Sequence, residues 1–312
     1  MSSEGAVILS QPFAGLQAQA LGLAARAGLD PVLRPLVARR PWRWLPARTW
    51  PAPLAAVGGL SDLPPSLVLS VGGMGGAVAS ALRARGHRVV QIQNPRMRLD
   101  RFDLVVANPH DAISGANVLI SRNALHRVGP MLLAEAAARW APAFAHLPRP
   151  LVAVLVGGSN GRFRLEAEEG EALATLLATT MRADRAGLML TSSRRTAPAA
   201  RAAFERKLAP LGAWLWDMQG DNPYLGMLAC ADHIVVTTDS VSMISEAVAT
   251  AVPVHVASLP GGSRRIGLFV ETMRQAGRVR DFHGRLESWP VRPLDDTPQV
   301  ADEMRRRLGW TA

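Results

Sequence analysis

The chain has 312 residues, which is long enough for two domains of ordinary size, each able to bury its own core. With 48% hydrophobic and 19% charged residues, the composition is typical of a globular protein and not of a disordered chain. A single cysteine, Cys230, rules out an internal disulfide and fits a reducing compartment.

The net charge of +10 is concentrated in the first half of the chain. Residues 1–148 contain 15 arginines and 7 acidic residues, whereas residues 149–312 contain 20 basic and 18 acidic residues. This asymmetry indicates an anionic partner for the first half: a membrane surface, a phosphorylated substrate or nucleic acid. Nucleic acid ranks last, because the sequence has neither a zinc-ligand spacing nor an aromatic RNA-binding signature.

The N-terminus has only a short apolar run and no basic region before it, so we expect no secretory signal and a cytoplasmic protein. Peripheral contact with the inner face of the cell membrane stays open. The longest uncharged window, residues 63–82, contains two prolines and four glycines. It therefore predicts a strand, a tight turn and a helix, and not a membrane span.

The first half shows a β/α alternation that predicts parallel strands joined by right-handed crossovers. The predicted strands are residues 6–9, 67–71, 88–92 and 104–107, and the predicted helices are residues 14–27 and 78–85. Functional loops are expected where such strands end. The glycine-rich stretch VGGMGGA (71–77) lacks the full dinucleotide fingerprint, so we interpret it as a plain tight turn.

His110 and Asp111 follow the predicted strand 104–107. They place an imidazole beside a carboxylate, which is the pairing that general-base catalysis requires. A solvated turn explains the same two residues nearly as well.

Between the first two predicted strands lies RRPWRWLPARTWPAP (39–53), in which four arginines alternate with three tryptophans. Arginines and indole rings suit the headgroup layer of an anionic membrane. The interpretation we favour is that the tryptophans pack a loop onto the core, because the four prolines of this stretch break any continuous helix.

After a predicted linker at residues 147–150, LPRP, the alternation restarts in the second half. Strands are predicted from residue 151 onward, at 188–191, at 213–216, at 234–237 and at 254–257. The loops that follow them are small, polar or basic. Backbone amides near Gly157, Gly158 and Gly161 suit a phosphate or a sugar. Arg194 and Arg195 suit bidentate phosphate binding.

The stretch after strand 234–237 predicts an anion site. Small polar residues lead into a helix with apolar residues at helical spacing, including Val241, Ile244 and Val248. The positive end of the helix dipole and unpaired backbone amides favour phosphate there. Glu246 lies two turns into the helix, within reach of sugar hydroxyls. An ordinary capped helix is an equally good interpretation of this stretch alone.

Several of these motifs resemble known families. GGSNG (157–161) with DSVSMISEA (239–247) resembles the donor half of the bacterial peptidoglycan transferase that adds N-acetylglucosamine to lipid-linked muramyl pentapeptide. A more specific resemblance covers most of the chain. QIQNPR (91–96), FDLVVANPHD (102–111), TSSRRTAP (191–198), DNPYLGMLACAD (221–232) and TTDSVSMISEA (237–247) are similar to the "elongated mitochondria" fission-factor family, whose bacterial members are often labelled nucleoside-diphosphate-sugar epimerase-like.

The resemblance implies an α/β protein with the glycosyltransferase-B fold, in which two Rossmann-like domains face each other across a cleft. The implied parts are an acceptor-side domain (1–147), a nucleotide-sugar domain (151–290) and a final segment (291–312) whose helix returns to the first domain. It also implies a donor site on the second domain and a catalytic base, Asp111 with His110, on the first. The donor-site residues are Gly157, Gly158, Ser159, Asn160, Arg194, Arg195, Asn222, Tyr224, Thr238, Asp239, Ser240, Val241, Ser242 and Glu246.

The implied activity is a metal-independent transfer of a sugar from a nucleoside diphosphate to a membrane-associated or anionic acceptor, with no cofactor. The sequence contains no Asp-x-Asp motif, which agrees with this expectation. Two alternatives stay open. One is a non-catalytic adaptor that kept the fold, and the other is a nucleotide-sugar epimerase.

Overall fold

The fold is taken from a computed structural model that describes residues 5–60, 63–64 and 66–309. Residues 1–4, on which the expectation of no secretory signal partly rests, lie outside the described ranges, as does Pro65 in the uncharged window. The chain divides into two compact units. Unit 1 comprises Met1–Arg127 and Asp296–Ala312, and unit 2 comprises Val128–Asp295. Within the described ranges, no helix combines the length and the apolar character needed to cross a membrane.

Unit 1 is built on a six-stranded parallel sheet with the strand order β2-β1-β3-β4-β5-β6. Its strands are β1 (Ala6–Ser10), β2 (Pro31–Pro35), β3 (Leu67–Val71), β4 (Arg88–Ile92), β5 (Leu104–Ala107) and β6 (Val118–Ile120). The helices before the chain leaves this unit are α1 (Ala14–Arg26), α2 (Pro53–Val57) and α3 (Gly72–Arg83). β1, β3 and β5 are buried along their whole length, as their continuous apolar runs predict.

The four strands predicted in the first half are confirmed, but β2 and β6 were not predicted. β2 has proline at both ends and lies at a sheet edge, where a missing backbone donor is tolerated. β6 is only three residues long and lies at the other edge. β2 is interrupted by Arg34, and the apolar run of β6 is too short to mark a buried strand.

The interpretation of VGGMGGA as a tight turn is wrong, because α3 begins at Gly72 and runs through all four glycines. The glycines let this helix lie close against the sheet. A Cβ at Gly75 would lie 3.0 Å from the carbonyl oxygen of Leu9, and a Cβ at Gly76 would lie 3.1 Å from Pro95 Cβ. Their role is close packing of a helix on a sheet.

Unit 2 is built on a second six-stranded parallel sheet with the order β12-β11-β10-β7-β8-β9. Its strands are β7 (Leu151–Val156), β8 (Gly187–Ser192), β9 (Trp214–Leu215), β10 (His233–Thr237), β11 (Val254–Ala257) and β12 (Val279–Asp281). Its helices are α4 (Pro130–Phe144), α5 (Ala167–Ala183), α6 (Pro198–Leu208), α7 (Tyr224–Cys230), α8 (Val241–Val248) and α9 (Arg264–Gln275). The five predicted strands are confirmed, and the short β12 was not predicted.

The division between the units falls at Arg127 and Val128, and not at the predicted linker, because α4 belongs to unit 2. Phe144 at the end of α4 lies in the same apolar core cluster as Leu151 at the start of β7. The ring of Trp140 also fills the space beside Gly226 on α7. Because of this packing, α4 belongs to the same unit as the second sheet.

The last helix, α10 (Thr297–Arg307), returns to unit 1. Its Val300, Ala301 and Met304 are buried in one core cluster with residues of α1 and the first sheet. At the start of this segment, the Asp296 carboxylate accepts from the backbone amide of Arg122 at 2.7 Å and pairs with its guanidinium at 2.5 Å. Two Rossmann-like units, with the final helix packed on the first, are therefore confirmed.

Candidate functional site

The sheet order of unit 2 places its polar loops together. The chain winds from β7 to β8 and β9 on one side, and β10 to β12 lie on the other side of β7. The strand order therefore reverses between β7 and β10, and the carboxyl end of a parallel sheet at such a point is the usual ligand site of this architecture. We call the loops that follow β7, β8 and β10 the carboxyl edge of unit 2.

Asp239 is the centre of the carboxyl edge. Its side chain is fully buried and accepts three hydrogen bonds, from the loops after β7 and β8 and from the last residue of β10. The donors are the backbone amide of Gly158 at 3.0 Å, the hydroxyl of Thr237 at 2.7 Å and the guanidinium of Arg195 at 2.8 Å. Arg195 also donates to the carbonyl oxygen of Gly158 at 3.1 Å. This carboxylate holds the three loops in a fixed arrangement.

The backbone amides of Gly157 and Gly158, in the loop after β7, donate hydrogen bonds within unit 2. The Gly157 amide donates to Thr237 Oγ1 at 2.8 Å, and the Gly158 amide donates to Asp239. A Cβ at Gly158 would lie 2.2 Å from the backbone carbon of Arg195, so the loops touch directly. The sequence indicated these amides as phosphate donors, but their hydrogen bonds are already made because a buried carboxylate and hydroxyl lie beside them.

Ser159 and Asn160 are likewise engaged in the fold of their own loop. Ser159 donates to Glu166 at 2.6 Å and accepts from the Leu165 amide at 3.0 Å. Asn160 Oδ1 accepts from the amides of Arg162 and Phe163, both at 3.1 Å. These contacts shape the loop between β7 and α5.

Free anion donors lie instead at the start of α8. Ser240 caps the helix, and its hydroxyl accepts from the Met243 amide at 3.4 Å. Within the part of the chain that the structure describes, the backbone amides of Val241 and Ser242 have no acceptor. These amides lie at the positive end of the helix dipole, where an anion is favoured. Thr238 is used structurally, since its hydroxyl accepts from the Leu259 amide at 3.0 Å.

The two arginines after β8 differ in their surroundings. Arg195 is held by Asp239 and Gly158, as described above. The Arg194 side chain is exposed and has no hydrogen-bond or ion-pair partner within the described ranges. Arg194 therefore offers the bidentate donor geometry that suits a phosphate.

A partly buried tyrosine and glutamate form the other distinct feature of this region. The Tyr224 hydroxyl, at the start of α7, donates to the Glu246 carboxylate on α8 at 2.5 Å. Burial raises the pKa of Glu246 to about 7, although the hydrogen bond from Tyr224 acts in the opposite direction. Burial and the nearby carboxylate also raise the pKa of Tyr224 well above its usual range. Asn222 fixes the start of α7, since its Oδ1 accepts from the Tyr224 amide at 3.0 Å.

His110 and Asp111 lie in unit 1, on the turn Pro109–Asp111 after β5. Asp111 is buried, and its carboxylate accepts from the Asn108 amide at 3.1 Å. The Asn108 side chain donates in turn to the carbonyl oxygens of Ser121 at 2.8 Å and Asn123 at 3.0 Å. Asp111 thus has a structural contact in addition to the catalytic role predicted for it.

Hydroxyl residues at the carboxyl edge were missed by the sequence analysis. The Ser193 hydroxyl donates to the Gly157 carbonyl oxygen at 2.6 Å, and the Thr196 hydroxyl donates to the same oxygen. Thr237 links the Gly157 amide to Asp239. The signal that would have found them is a serine or threonine at the end of a buried strand.

Comparison with known sequences identifies the family. A sequence profile described as "Mitochondrial fission ELM1" matches residues 14–308. The chain belongs to the mitochondrial fission ELM1 family. It is 33% identical over 280 residues to the mitochondrial fission protein ELM1 of Arabidopsis thaliana, a match that covers 79% of this chain and 65% of the plant protein. The chain therefore matches slightly less than two thirds of that relative's length.

Two solved structures share the fold of this ELM1 family member. MurG of Acinetobacter baumannii has a TM-score of 0.54 at 14% identity, covering 97% of this chain and 90% of MurG. The UDP-GlcNAc 2-epimerase of Neisseria meningitidis, bound to UDP-GlcNAc, has a TM-score of 0.56 at 12% identity, covering 96% and 91%. At these identities the likeness shows the fold, and it confirms the predicted glycosyltransferase-B class.

Proposed function

We propose that unit 2 binds a nucleoside-diphosphate sugar at its carboxyl edge. The observation that carries this proposal is the combination on α8 of free amides at its start and, further along it, Glu246, which accepts a hydrogen bond from Tyr224 of α7. The diphosphate would lie against the amides of Val241 and Ser242, with the exposed Arg194 as a further donor. The Glu246 carboxylate would accept hydrogen bonds from the ribose hydroxyls. The fold neighbour that binds UDP-GlcNAc supports the ligand class.

The proposed activity is a glycosyltransferase-like transfer. When the glycosidic bond breaks, the diphosphate leaving group gains negative charge. Preorganised amides, the helix dipole and the Arg194 guanidinium would stabilise that charge as it develops. The acceptor would be membrane-associated or anionic, in keeping with the positive charge of the first half of the chain.

Asp111 is the proposed base that deprotonates the acceptor hydroxyl, with His110 beside it. Its side chain already accepts from the Asn108 amide, so an asparagine should preserve the turn while removing the base. Asp111→Asn should abolish turnover and leave donor binding intact. Retained turnover would remove Asp111 from the mechanism.

Two rival functions share this fold. A non-catalytic adaptor is supported by the fission family and by the Gly157 and Gly158 amides, whose hydrogen bonds are already made within unit 2. A nucleotide-sugar epimerase is supported by the fold neighbour of that activity. The adaptor predicts neither turnover nor hydrolysis of any donor, and the epimerase predicts release of an isomerised sugar without an acceptor.

Donor binding is tested by thermal shift and calorimetry with a panel of nucleoside-diphosphate sugars. A ligand at 100 times its Kd stabilises the native state by about 2.7 kcal/mol, which is readily measured. Arg194→Ala and Glu246→Ala should each weaken binding by roughly 10-fold to 100-fold, the range for a hydrogen bond to a charged group. Arg182→Ala removes an exposed arginine of α5 and serves as the matched control. Equal affinities for the wild type and both site variants would refute the proposed site.

A further inference from the structure

The arginine- and tryptophan-rich loop of unit 1 is anchored to the core at both ends. Leu36 is buried, and its amide donates to the carbonyl oxygen of Ser10 at 2.8 Å. Trp50 is 6% exposed, and its indole nitrogen donates to the carbonyl oxygens of Trp42 at 3.1 Å and Leu45 at 3.2 Å. The expected packing of tryptophans on the core is therefore confirmed for Trp50, with Trp42 partly buried against the same cluster. The loop has a fixed backbone.

Between these anchors the loop exposes three large apolar side chains. Trp44 is 64% exposed, Leu45 is 49% exposed and Val37 is 66% exposed. Trp44 ends the single turn of 3-10 helix Trp42–Trp44, and its amide donates to the carbonyl oxygen of Pro41 at 3.2 Å. An indole ring is thus held in solvent by an ordered turn, where packing on the core does not account for it.

Two arginines lie against the exposed indole. The guanidinium carbon of Arg43 is 4.8 Å from the centre of the Trp44 ring, and that of Arg40 is 5.9 Å from it. Within the described ranges, neither side chain has an ion-pair partner. Residues 31–60 contain five arginines and no acidic residue. The exposed apolar groups therefore belong to a segment in which every charged side chain is positive.

We propose that Val37, Arg40, Arg43, Trp44 and Leu45 form a surface that binds the headgroup layer of an anionic lipid membrane. An indole with adjacent aliphatic groups suits the boundary between headgroups and acyl chains, and guanidinium groups pair with lipid phosphates. Single-stranded nucleic acid would use the indole and the arginines but would leave Leu45 and Val37 in water. The aliphatic groups therefore favour the membrane. This inference does not depend on binding of a nucleotide-sugar.

Vesicle sedimentation of the full chain tests the proposal. The vesicles contain phosphatidylcholine alone, or phosphatidylcholine mixed with phosphatidylserine, at low and high salt. We expect binding to the mixed vesicles that weakens with salt, because exposed charges are screened. Trp44→Ala should weaken binding roughly tenfold, because the variant lacks the large apolar side chain that the membrane would bury. Arg40→Gln and Arg43→Gln should each weaken it roughly fivefold.

Matched controls test whether a loss of binding is specific to this surface, or follows from removing any positive charge or any exposed apolar side chain. Arg85→Gln removes one exposed positive charge from another part of unit 1, and Met131→Ala removes a side chain that is 78% exposed on α4. Both controls should bind mixed vesicles nearly as well as the wild type, and unchanged thermal midpoints should show that all variants are folded. Equal binding to the phosphatidylcholine vesicles and to the mixed vesicles would overturn the proposal. So would equal loss in the controls, or Trp44-dependent binding to single-stranded RNA or an acidic peptide without vesicle binding.

Discussion

Two titratable groups of unit 2, the partly buried Glu246 and the buried His255, should give its stability opposite pH dependences. Burial raises the pKa of Glu246 from 4.5 to about 7, so the folded state holds this proton more tightly than the unfolded state. Burial lowers the pKa of His255 from 6.5 to about 4, with the nearby His233 as a further cause, so the folded state resists protonation there. His255 is fully buried, and its ring centre lies 5.7 Å from that of His233 and 5.3 Å from that of Trp289.

The direction of each effect follows from proton linkage. The contribution of Glu246 is fully present below pH 4.5 and is lost as the pH rises through 7. The contribution of His255 is fully present above pH 6.5 and is lost as the pH falls through 4. At about 1.4 kcal/mol per pKa unit, each group changes the free energy of unfolding by up to about 3 kcal/mol. Between pH 4.5 and 6.5 the two changes nearly cancel in the wild type.

A single variant at each residue should reveal the separate contribution of that residue to the pH dependence of stability. Glu246→Gln keeps an acceptor for Tyr224 and removes the ionisation, so it should gain stability relative to the wild type as the pH rises. His255→Leu should gain stability relative to the wild type as the pH falls. The difference from the wild type, and not the absolute stability, is the readout, because it cancels the titrating groups that do not interact with the substituted residue.

Urea denaturation at a series of pH values measures these differences, provided that the slope of the unfolding free energy against urea concentration is the same for all variants. Glu205→Gln is the matched control, since it removes a carboxylate that is exposed on α6, and the difference for Glu246→Gln should change with pH more than the difference for this control. A pH-independent difference for Glu246→Gln would refute the raised pKa of Glu246. The same result for His255→Leu would refute the lowered pKa of His255.

Two further predictions concern packing in unit 2. Asp239→Ala leaves the buried Gly158 amide without its acceptor and should cost about 1–3 kcal/mol of unfolding free energy, whereas Asp239→Asn should cost less; a near-neutral Asp239→Ala in urea denaturation would contradict the central role of this carboxylate. Gly226→Ala would place a Cβ 2.3 Å from the Trp140 ring and should cost about 1–3 kcal/mol. Trp140→Ala should relieve that clash, so the double variant should be less destabilised than the two single changes added together; strict additivity would show that the residues do not touch.

The sequence by itself determined the repeating α/β pattern, the family and most of the central strands. β1, β3, β5, β7 and β10 are fully buried and consist mostly of apolar residues, as a strand buried on both faces requires. The edge strands β2, β6 and β12 are short or partly exposed and lack that signal. The capped start of α8 was also visible, because Ser240 and the Met243 amide that it caps are close in sequence.

Only the tertiary structure decided which groups are available for binding. The Gly157 and Gly158 amides look free in the sequence, but Thr237 and Asp239, about 80 residues later, accept their hydrogen bonds. Likewise, one tryptophan of the basic loop is buried and another is exposed, although they are six residues apart in one motif. The local sequence pattern predicts the secondary structure of a segment. Whether its amides are already hydrogen-bonded and its side chains exposed depends on residues that are distant in sequence and become neighbours only in the folded chain.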